Sequence, residues 1–372
     1  MTSDLLVVGA SFAGLACARA AALAGLRVTL LEKKARAGEK LHTTGLIVKD
    51  AVDTVPWLGE VPPALVRRIE GVRLYAPNLR HADLFAPGYY FWATDAPRLL
   101  DWMVDSVRQA GVDVRLGELF TTARREGSGW HVPLADGATV QARYLVGADG
   151  PHSRVARALG LSSNEQFLFG LEHEYAGARM EANLLHCFID RRLAPGYIGW
   201  AFSGVGVAQV GLARRMGRAS ASPPGADLQR LLVKVAGAVE PHGVPLAVRA
   251  GMIPCGGLLP RVSCDRALLV GDAAGMVSPV TAGGIHTALH HGAQAGGAIA
   301  SFLQGRAGDP ADWLVRTYPR FRSKRALRWL FDRFQSDWVF NRMLGTAPMR
   351  RAAELVYFHR KGGLPAPPSE PS

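Results

Sequence analysis

A glycine-rich turn near the start of the chain carries residues able to hold a phosphate. Gly9, Ser11 and Gly14 follow an apolar run at residues 5–8, in the spacing of the G-x-G-x-x-G dinucleotide-binding fingerprint with serine at the second glycine. The tight turn requires Gly9, and close packing of a helix on the strand requires Gly14. Serine is small enough to let backbone N–H groups approach a pyrophosphate, and its hydroxyl is a further donor. The turn therefore predicts a nucleotide site.

An acidic residue stands where the ribose of such a nucleotide would need one. Glu32 comes 18 residues after Gly14 and ends a second apolar strand at residues 27–31, and the fingerprint expects this carboxylate about 20 residues on. Between the strands, the alanine-rich residues 13–24 predict a helix that Gly25 caps. The strand, turn, helix, strand and acid occur together, which favours a nucleotide site over a purely structural turn.

Two later segments also place an aspartate and a glycine after a buried strand. The pairs are Asp149-Gly150 and Gly271-Asp272. A long helix is predicted to start near Gly283-Gly284 and to end at about residue 303. Its N-terminus can stabilise negative charge through its dipole and free N–H groups, while Asp272 can accept hydrogen bonds from sugar hydroxyls. These segments predict further contacts to one nucleotide.

The three motifs, in this order and at these separations, resemble the flavoprotein family that includes para-hydroxybenzoate hydroxylase and the geranylgeranyl reductases. The resemblance covers roughly residues 4–305. It implies FAD as the cofactor, with the ADP part on the first motif, the pyrophosphate near the second and the ribityl region on the third. The cofactor-binding residues that we predict are Gly9, Ser11, Phe12, Ala13, Gly14, Glu32, Lys33, Lys40, Thr44, Arg98, Asp149, Gly150, Gly271, Asp272, Pro279, Gly283, Gly284 and Ile285.

The resemblance implies an α/β (α+β) fold in which a discontinuous Rossmann-like FAD-binding domain carries an inserted antiparallel-sheet substrate domain. A helical, basic C-terminal segment is expected at 311–361 and a disordered tail at 362–372. The predicted parts are 1–75, 95–160 and 255–310 for the FAD-binding domain, and 76–94 and 161–254 for the substrate domain.

An aromatic strand is predicted to line a substrate cavity. Residues 197–203 alternate as a strand does, and the Tyr-x-x-Trp-x-Phe run resembles the strand that lines the substrate cavity of geranylgeranyl reductases. It is more distantly similar to a strand of flavin-dependent halogenases, although both have a proline where this chain has none. The predicted cavity residues are Tyr197, Trp200, Phe202, Tyr90 and Trp92, with Tyr89 beside them. The alternative is that these rings fill the core of a sheet.

The segment at residues 38–48 contains the predicted catalytic residue. In geranylgeranyl reductases the matching segment commonly runs Gly-x-Lys-x-Cys-Gly-Gly, with its cysteine close to the flavin. Gly38 and Lys40 fit this pattern, but His42 occupies the place of the cysteine and threonines replace the glycines. We predict His42 as a proton donor beside the flavin, a role that suits histidine near neutral pH; a packing or hydrogen-bonding role is the alternative.

The resemblance implies an FAD-dependent oxidoreductase, and several reactions are compatible with its fold. The favoured reaction is reduction of C=C bonds in an isoprenoid or other apolar substrate. The alternative is a monooxygenase or halogenase that acts on an aromatic or polyketide-like substrate, and a third possibility is a non-enzymatic flavin-binding scaffold at a membrane. The electron donor is left open among NAD(P)H, ferredoxin and a reductase partner.

Charge is concentrated at the C-terminal end. The chain carries a formal charge of +12, and residues 316–361 hold twelve basic and three acidic residues. This segment predicts either a helix packed on its own domain or a surface for an anionic membrane or lipid. No nucleic acid partner is expected, because no recognition motif accompanies the charge. Its apolar stripe at helical spacing comprises Leu327, Leu330, Phe331, Phe334 and Trp338.

Cysteine usage and hydropathy set the expected compartment. The four cysteines have neither metal-ligand nor redox spacing. No metal site is therefore expected, and the cysteines are expected to be reduced thiols of a cytoplasmic protein. The uncharged stretches at 193–213 and 273–305 are too weakly apolar to predict membrane spans. A peripheral membrane position remains the alternative that the basic segment raises.

Overall fold

A computed structural model describes residues 2–217 and 223–358 of the chain, and the predicted tail at 362–372 lies outside them. The strands are β1 (Thr2–Val8), β2 (Val28–Glu32), β3 (Leu46–Val48), β4 (Val66–Ile69), β5 (Gly71–Tyr75), β6 (His81–Phe85), β7 (Phe91–Thr94), β8 (Asp113–Leu116), β9 (Arg124–Glu126), β10 (Gly129–Pro133), β11 (Thr139–Gly147), β12 (Phe167–Tyr175), β13 (Ala178–Arg179), β14 (Leu184–Phe188), β15 (Gly199–Ser203), β16 (Ala208–Arg215), β17 (Glu240–Pro241), β18 (Ala247–Pro254), β19 (Ser263–Cys264) and β20 (Ala267–Leu269).

The α-helices are α1 (Phe12–Leu23), α2 (Lys49–Thr54), α3 (Ala96–Gln109), α4 (Arg154–Ala158), α5 (Pro224–Val235), α6 (Ile285–Leu303), α7 (Ala311–Thr317), α8 (Arg322–Phe334), α9 (Asp337–Met343) and α10 (Ala347–Phe358). Short 3₁₀ helices occupy Pro56–Glu60, Pro63–Leu65 and Gly271–Ala274. Within residues 2–217 and 223–358, no helix is both long and apolar enough to cross a membrane.

The larger sheet is built on five parallel strands in the order β20-β11-β1-β2-β8. Residues 5–8 of β1 and all of β2 are buried, as expected of parallel strands covered on both faces. The antiparallel strands β10, β9 and β19 extend this sheet. Since the carboxyl ends of parallel strands meet at one edge, the segments after β1, β2, β11 and β20 converge there, and these are the segments that carry the three sequence motifs.

Helices α1 and α6 pack backbone to backbone beside this edge. A Cβ atom on Gly292 would lie 2.3 Å from the carbonyl oxygen of Ala13, and one on Gly296 would lie 2.2 Å from that of Cys17. No side chain fits at either position, which is why the helix needs glycine there. Because the contacts advance in the same direction along both helices, α1 and α6 run parallel and their N-termini point the same way.

The second large sheet has seven strands in the order β18-β12-β16-β15-β14-β5-β6, antiparallel apart from the β14–β5 pair. Its strands contribute buried apolar side chains to two clusters that are separate from the core around the parallel sheet. The α/β fold with a parallel and an antiparallel sheet is as predicted. Strand β5 pairs in this sheet, although the predicted division placed residues up to 75 with the FAD-binding part. The domain boundaries otherwise stay a prediction.

Candidate active site

A cavity of about 1150 Å³ is bounded by the carboxyl edge of the parallel sheet, by the seven-stranded sheet and by helices α8 and α10. It brings together most of the predicted cofactor residues with part of the predicted substrate site. The predicted cofactor residues that line it are Gly9, Ser11, Phe12, Ala13, Glu32, Lys33, Lys40, Thr44, Asp149, Gly150, Gly271, Asp272, Gly283, Gly284 and Ile285.

The first turn has the backbone that its glycines predict. Gly9 has φ +108°, and a Cβ there would lie 2.4 Å from the carbonyl oxygen of Ala148. Ser11 is exposed and precedes α1, and its hydroxyl donates to the same carbonyl at 3.3 Å. Its side chain makes no cap to α1, so the first N–H groups of the helix are available to an anion.

Glu32 lies at the end of β2 and fixes the turn from the side. Its Oε2 accepts the N–H of Ala10 at 2.8 Å, and its Oε1 accepts the N–H of Lys34 at 3.0 Å. Each carboxylate oxygen can accept a further hydrogen bond. Glu32 therefore combines a structural role in the turn with a cavity position that fits a ribose.

Asp149 acts mainly within the protein. Its Oδ1 accepts the hydroxyl of Ser153 at 2.6 Å, and its Oδ2 accepts the N–H groups of Arg154 and Val155 at 2.6 and 3.1 Å. These bonds organise the start of α4. Any contribution of this segment to a pyrophosphate would therefore come through backbone groups such as that of Gly150.

Asp272 presents a carboxylate to the cavity from the 3₁₀ turn after β20. The turn starts at Gly271, whose φ is +62° and whose Cβ would lie 2.8 Å from that of Ala13. Burial raises the pKa of Asp272 to about 6, and among the described residues its carboxylate has no hydrogen-bond partner. A half-buried acceptor of this kind fits the hydroxyls of a ribityl chain. The N-terminus of α6, capped by Gly284, faces the same space.

Three predicted cofactor residues do not line the cavity. Gly14 instead packs α1 on the turn, since a Cβ there would lie 1.9 Å from the carbonyl oxygen of Gly9. Arg98 is 65% exposed, and its guanidinium lies 3.7 Å from Asp95, which caps α3. Pro279 is buried and does not line the cavity, although the residue after it does. Arg98 and Pro279 thus lie outside the cavity lining, and their contact with the cofactor stays a prediction.

On the substrate side, two of the five predicted aromatic residues line the cavity, Tyr197 and Trp200. Phe202 shares a strand face with Trp200 but is fully buried in the core. Tyr90 and Trp92 stack on each other, and Tyr90 also lies 4.3 Å from the Arg68 guanidinium. Side chains alternate along β7, so with Phe91 and Ala93 in the core of the seven-stranded sheet, Trp92 faces away from the cavity. The prediction for these three rings is wrong.

The seven-stranded sheet contributes a carboxyl that the sequence analysis missed. Glu172 on β12 lines the cavity and is 3% exposed. Its Oε2 accepts the indole N–H of Trp200 at 2.7 Å. Burial raises the pKa of Glu172 to about 7, against the opposing effects of Trp200 and Arg249. An acidic residue in a strand is ordinarily assigned to the solvent face, and only the sheet pairing shows otherwise.

His42 lines the cavity and packs against Gly251 on β18, and its role as a proton donor stays a prediction. Its Nδ1 is hydrogen-bonded to the carbonyl oxygen of Ala250. Because a carbonyl only accepts, Nδ1 carries the proton in this contact, and Nε2 of the neutral ring is an acceptor. His42 can therefore donate a proton to the cavity only from its doubly protonated form.

Helices α8 and α10 form an apolar roof over the cavity, another feature that the sequence did not place. Four members of the predicted apolar stripe face inward, whereas Trp338 is 71% exposed. The roof residues that line the cavity include Leu327, Leu330, Phe331, Phe334, Met349, Ala353, Val356 and Tyr357. Since Leu330 and Phe334 are also 48% and 63% exposed, the cavity opens to the surface beside α8.

Family models match most of the chain. Residues 68–330 match the FAD binding domain model, and residues 7–52 match the NAD(P)-binding Rossmann-like domain model. Digeranylgeranylglycerophospholipid reductase 2 of Methanopyrus kandleri is 34% identical over 82% of this chain and 78% of its own. Digeranylgeranylglycerophospholipid reductase 3 of Methanosphaera stadtmanae is 29% identical over the same shares.

This chain belongs to the family of FAD-dependent oxidoreductases that includes the geranylgeranyl reductases. The predicted cofactor and enzyme class are thereby confirmed. The groups at the carboxyl edge fit FAD: a turn in which a Cβ on Gly9 would clash with the backbone, a helix N-terminus without a side-chain cap, and a half-buried acceptor at Asp272.

Solved structures of this fold cover several reactions. A geranylgeranyl bacteriochlorophyll reductase-like protein from Thermoplasma acidophilum has a TM-score of 0.82 at 19% identity, over 96% of this chain and 97% of its own. A myxobacterial chondrochloren halogenase has a TM-score of 0.71 at 20% identity, over 95% and 89%. At these identities the likeness shows the fold alone.

Proposed function

We propose that this enzyme reduces C=C bonds of an isoprenoid lipid held in the roofed cavity. The observation that carries the proposal is the continuity of one space, which runs from the FAD-binding groups to an apolar roof and opens at α8. A long hydrocarbon chain can lie along such a space with its double bonds brought to the flavin. The digeranylgeranylglycerophospholipid reductases related to this chain support the same substrate class.

FAD, when bound and reduced, supplies a hydride to the double bond. The residues of the chain position the reactants and exclude water. Asp272 and the start of α6 hold the cofactor, while Tyr197 and Trp200 contact the hydrocarbon from the sheet side and Phe331 contacts it from the roof. Burial of the double bond against these side chains keeps oxygen and water from the reduced cofactor.

The direct test is an anaerobic single turnover. Holoenzyme reduced with dithionite, which removes the need for a natural electron donor, is mixed with digeranylgeranylglyceryl phospholipid, and flavin absorbance is followed by stopped flow. The expected result is flavin reoxidation without oxygen and a product that has gained two hydrogen atoms per double bond. Flavin that stays reduced until oxygen is admitted, with an oxygenated or halogenated product, would establish the alternative reaction.

We further propose that the outer surface of α8 and α9 rests on an anionic lipid surface while the substrate enters. The exposed rings of Trp329, Phe334 and Trp338 lie beside the cavity opening, with exposed fractions of 59%, 63% and 71%. Exposed arginines accompany them at positions 322, 325, 333 and 342. Aromatic rings with cations around them are suited to the headgroup region of a membrane.

Co-sedimentation with vesicles tests this surface. Binding is expected to phosphatidylglycerol vesicles and not to phosphatidylcholine vesicles, and to weaken as salt rises. The double variant Trp329→Ser/Trp338→Ser should bind at least about tenfold more weakly, from the lost burial of two indoles. Trp313, which is 46% exposed on α7, supplies the control Trp313→Ser. Equal binding to both vesicle types would exclude the proposal.

A further inference from the structure

A row of four residues crosses the seven-stranded sheet on its cavity side. Arg249 on β18 is opposite Glu172 on β12, Glu172 is opposite Gly211 on β16, and Gly211 is opposite Trp200 on β15. Directly opposed residues of antiparallel strands project from the same face. The sheet therefore places a cation, a carboxyl, a gap and an indole side by side.

The gap at Gly211 lets the indole reach the carboxyl. A Cβ on Gly211 would lie 2.6 Å from Cζ2 of Trp200, so the ring covers the position that a side chain would fill. Across this gap the Trp200 Nε1–H donates to Oε2 of Glu172 at 2.7 Å. Trp200 therefore bridges two strand positions and holds the Glu172 side chain in one orientation.

The other oxygen of Glu172 has a different environment. Oε1 is buried and has no hydrogen-bond partner among residues 2–217 and 223–358. When the carboxyl is protonated, the indole N–H is accepted by the carbonyl oxygen, Oε2, which leaves the acidic O–H on Oε1. This O–H has no protein partner, and it belongs to a residue that lines the cavity.

We propose that Glu172 is the proton donor that completes reduction of the double bond. This proposal rests on the proposed function. The C=C π bond breaks, one carbon receives the hydride from reduced FAD, and the other receives the proton from Oε1 of Glu172. Two C–H bonds form, the cofactor is left oxidised, and the Glu172 carboxylate recovers a proton from water between turnovers. An external nicotinamide or ferredoxin-type donor supplies the two electrons for the next turnover.

The surroundings of Glu172 are compatible with this cycle. Burial raises its pKa to about 7, so the acid form is present at neutral pH. The charged groups that face it are Arg249 from β18, which lowers the pKa, and Glu174 from β12, which raises it. Arg249 is itself ion-paired with Glu174, and β16 presents only Gly211 opposite Glu172. His42, the donor expected from sequence, has its Nδ1 proton bound to Ala250.

Infrared spectroscopy tests the acid without requiring turnover. Oxidised holoenzyme without substrate is titrated in D₂O, and the C=O stretching band of protonated carboxyls is followed. We expect a band that is lost with a midpoint near pH 7, that is absent in Glu172→Gln and that persists in Glu165→Gln, where an exposed carboxyl is removed. Asp272, whose pKa is raised to about 6, contributes a band in every variant. The assignment would be overturned if the component with a midpoint near pH 7 survived in Glu172→Gln or were absent from the wild type.

Single-turnover kinetics tests the donation itself. Gln keeps an acceptor for Trp200 but has no acidic proton, so Glu172→Gln should slow anaerobic flavin reoxidation by lipid about 100-fold or more, with Glu165→Gln unchanged. The wild-type rate should fall as the pH rises through about 7, and this fall should vanish in Glu172→Gln. An unchanged rate in Glu172→Gln would refute donation by Glu172. Failure of the wild type to reduce any isoprenoid would refute the proposed function instead. The infrared titration requires no turnover, so its result would still report whether Glu172 is protonated.

Discussion

At the scale of single residues, the structure places a second candidate acid, Glu172, in the same cavity as the predicted His42. His42 was predicted from its place in a motif, and Glu172 was not predicted because an acid within a strand has no distinctive local pattern. The protonation of each follows from its surroundings: a carbonyl fixes the tautomer of His42, and burial favours the neutral form of Glu172 although the hydrogen bond from Trp200 opposes it. Neither neighbour is close in sequence, so neither effect is visible before the strands are paired.

The buried carboxyl of Glu172 should make stability depend on pH. Its pKa rises from an ordinary 4.5 to about 7 on folding, so between these pH values the native protein holds a proton that the unfolded chain releases. Stability from this group is then lost as pH rises through that window and is level above it. Glu172→Gln should reduce the loss between pH 5 and pH 8 by on the order of 2 kcal/mol. Urea unfolding at both pH values measures this, and an identical pH dependence in the variant would contradict it.

The gap at Gly211 can be tested by filling it. In Gly211→Ala the new methyl group would meet the Trp200 ring and the carbonyl oxygen of Leu171, at 2.6 and 2.8 Å. The hydrogen bond to Glu172 should be lost with the displaced indole. Since that bond lowers the pKa of Glu172, the infrared midpoint should move upward, and unfolding should cost about 1–3 kcal/mol less.

Gly237→Ala is the matched control, because its Cβ would meet nothing within 4 Å. This variant should stay within about 0.5 kcal/mol of the wild type. A Gly211→Ala protein with an unshifted midpoint would show that Trp200 does not hold the carboxyl.

At the scale of elements, the cofactor site depends on how closely α1 and α6 approach. Gly296→Ala should destabilise the protein by about 1–3 kcal/mol, because its methyl group would lie 2.2 Å from the backbone oxygen of Cys17. Its neighbour Gly297 meets nothing within 4 Å, so Gly297→Ala should stabilise the helix by up to about 1 kcal/mol. Thermal unfolding of both holoenzymes measures the difference, and equal effects would mean that the contact is not tight.

Short sequence patterns predicted the elements well where the structure depends on residues that are close together in the chain. The turn at Gly9, the helix behind it and Glu32 after the next strand follow from a short run of sequence, as does the glycine that opens the turn before Asp272. Facing directions were harder to predict. Phe202 was assigned to the cavity from the Tyr-x-x-Trp-x-Phe pattern, and Tyr90 and Trp92 from ring type. The direction in which each ring points depends on strand pairing with partners far away in the chain. The stripe on α8 was recognised, but its partner was not, because the roof packs over strands from another part of the sequence.

At the scale of the whole molecule, one continuous cavity joins a polar cofactor end to an apolar roof. A charge placed in the roof should weaken lipid binding and leave the cofactor in place. Phe331 lines the cavity, so Phe331→Glu should reduce affinity for a radiolabelled isoprenoid lipid by about tenfold or more, with an unchanged ratio of flavin to protein absorbance. Leu355→Glu, on α10 and 47% exposed outside the cavity, is the control. Loss of flavin from Phe331→Glu would mean that the two ends are not separate.

The parallel packing of α1 on α6 also bears on biosynthesis. The phosphate-binding turn follows the first strand, whereas α6, the helix that completes its surroundings, is synthesised only after the strands of both sheets. Contacts so distant in sequence close large loops and slow folding. We expect the alanine-rich helix to stay without its α6 contacts until translation has passed both sheets, and FAD to be retained only after α6 has formed.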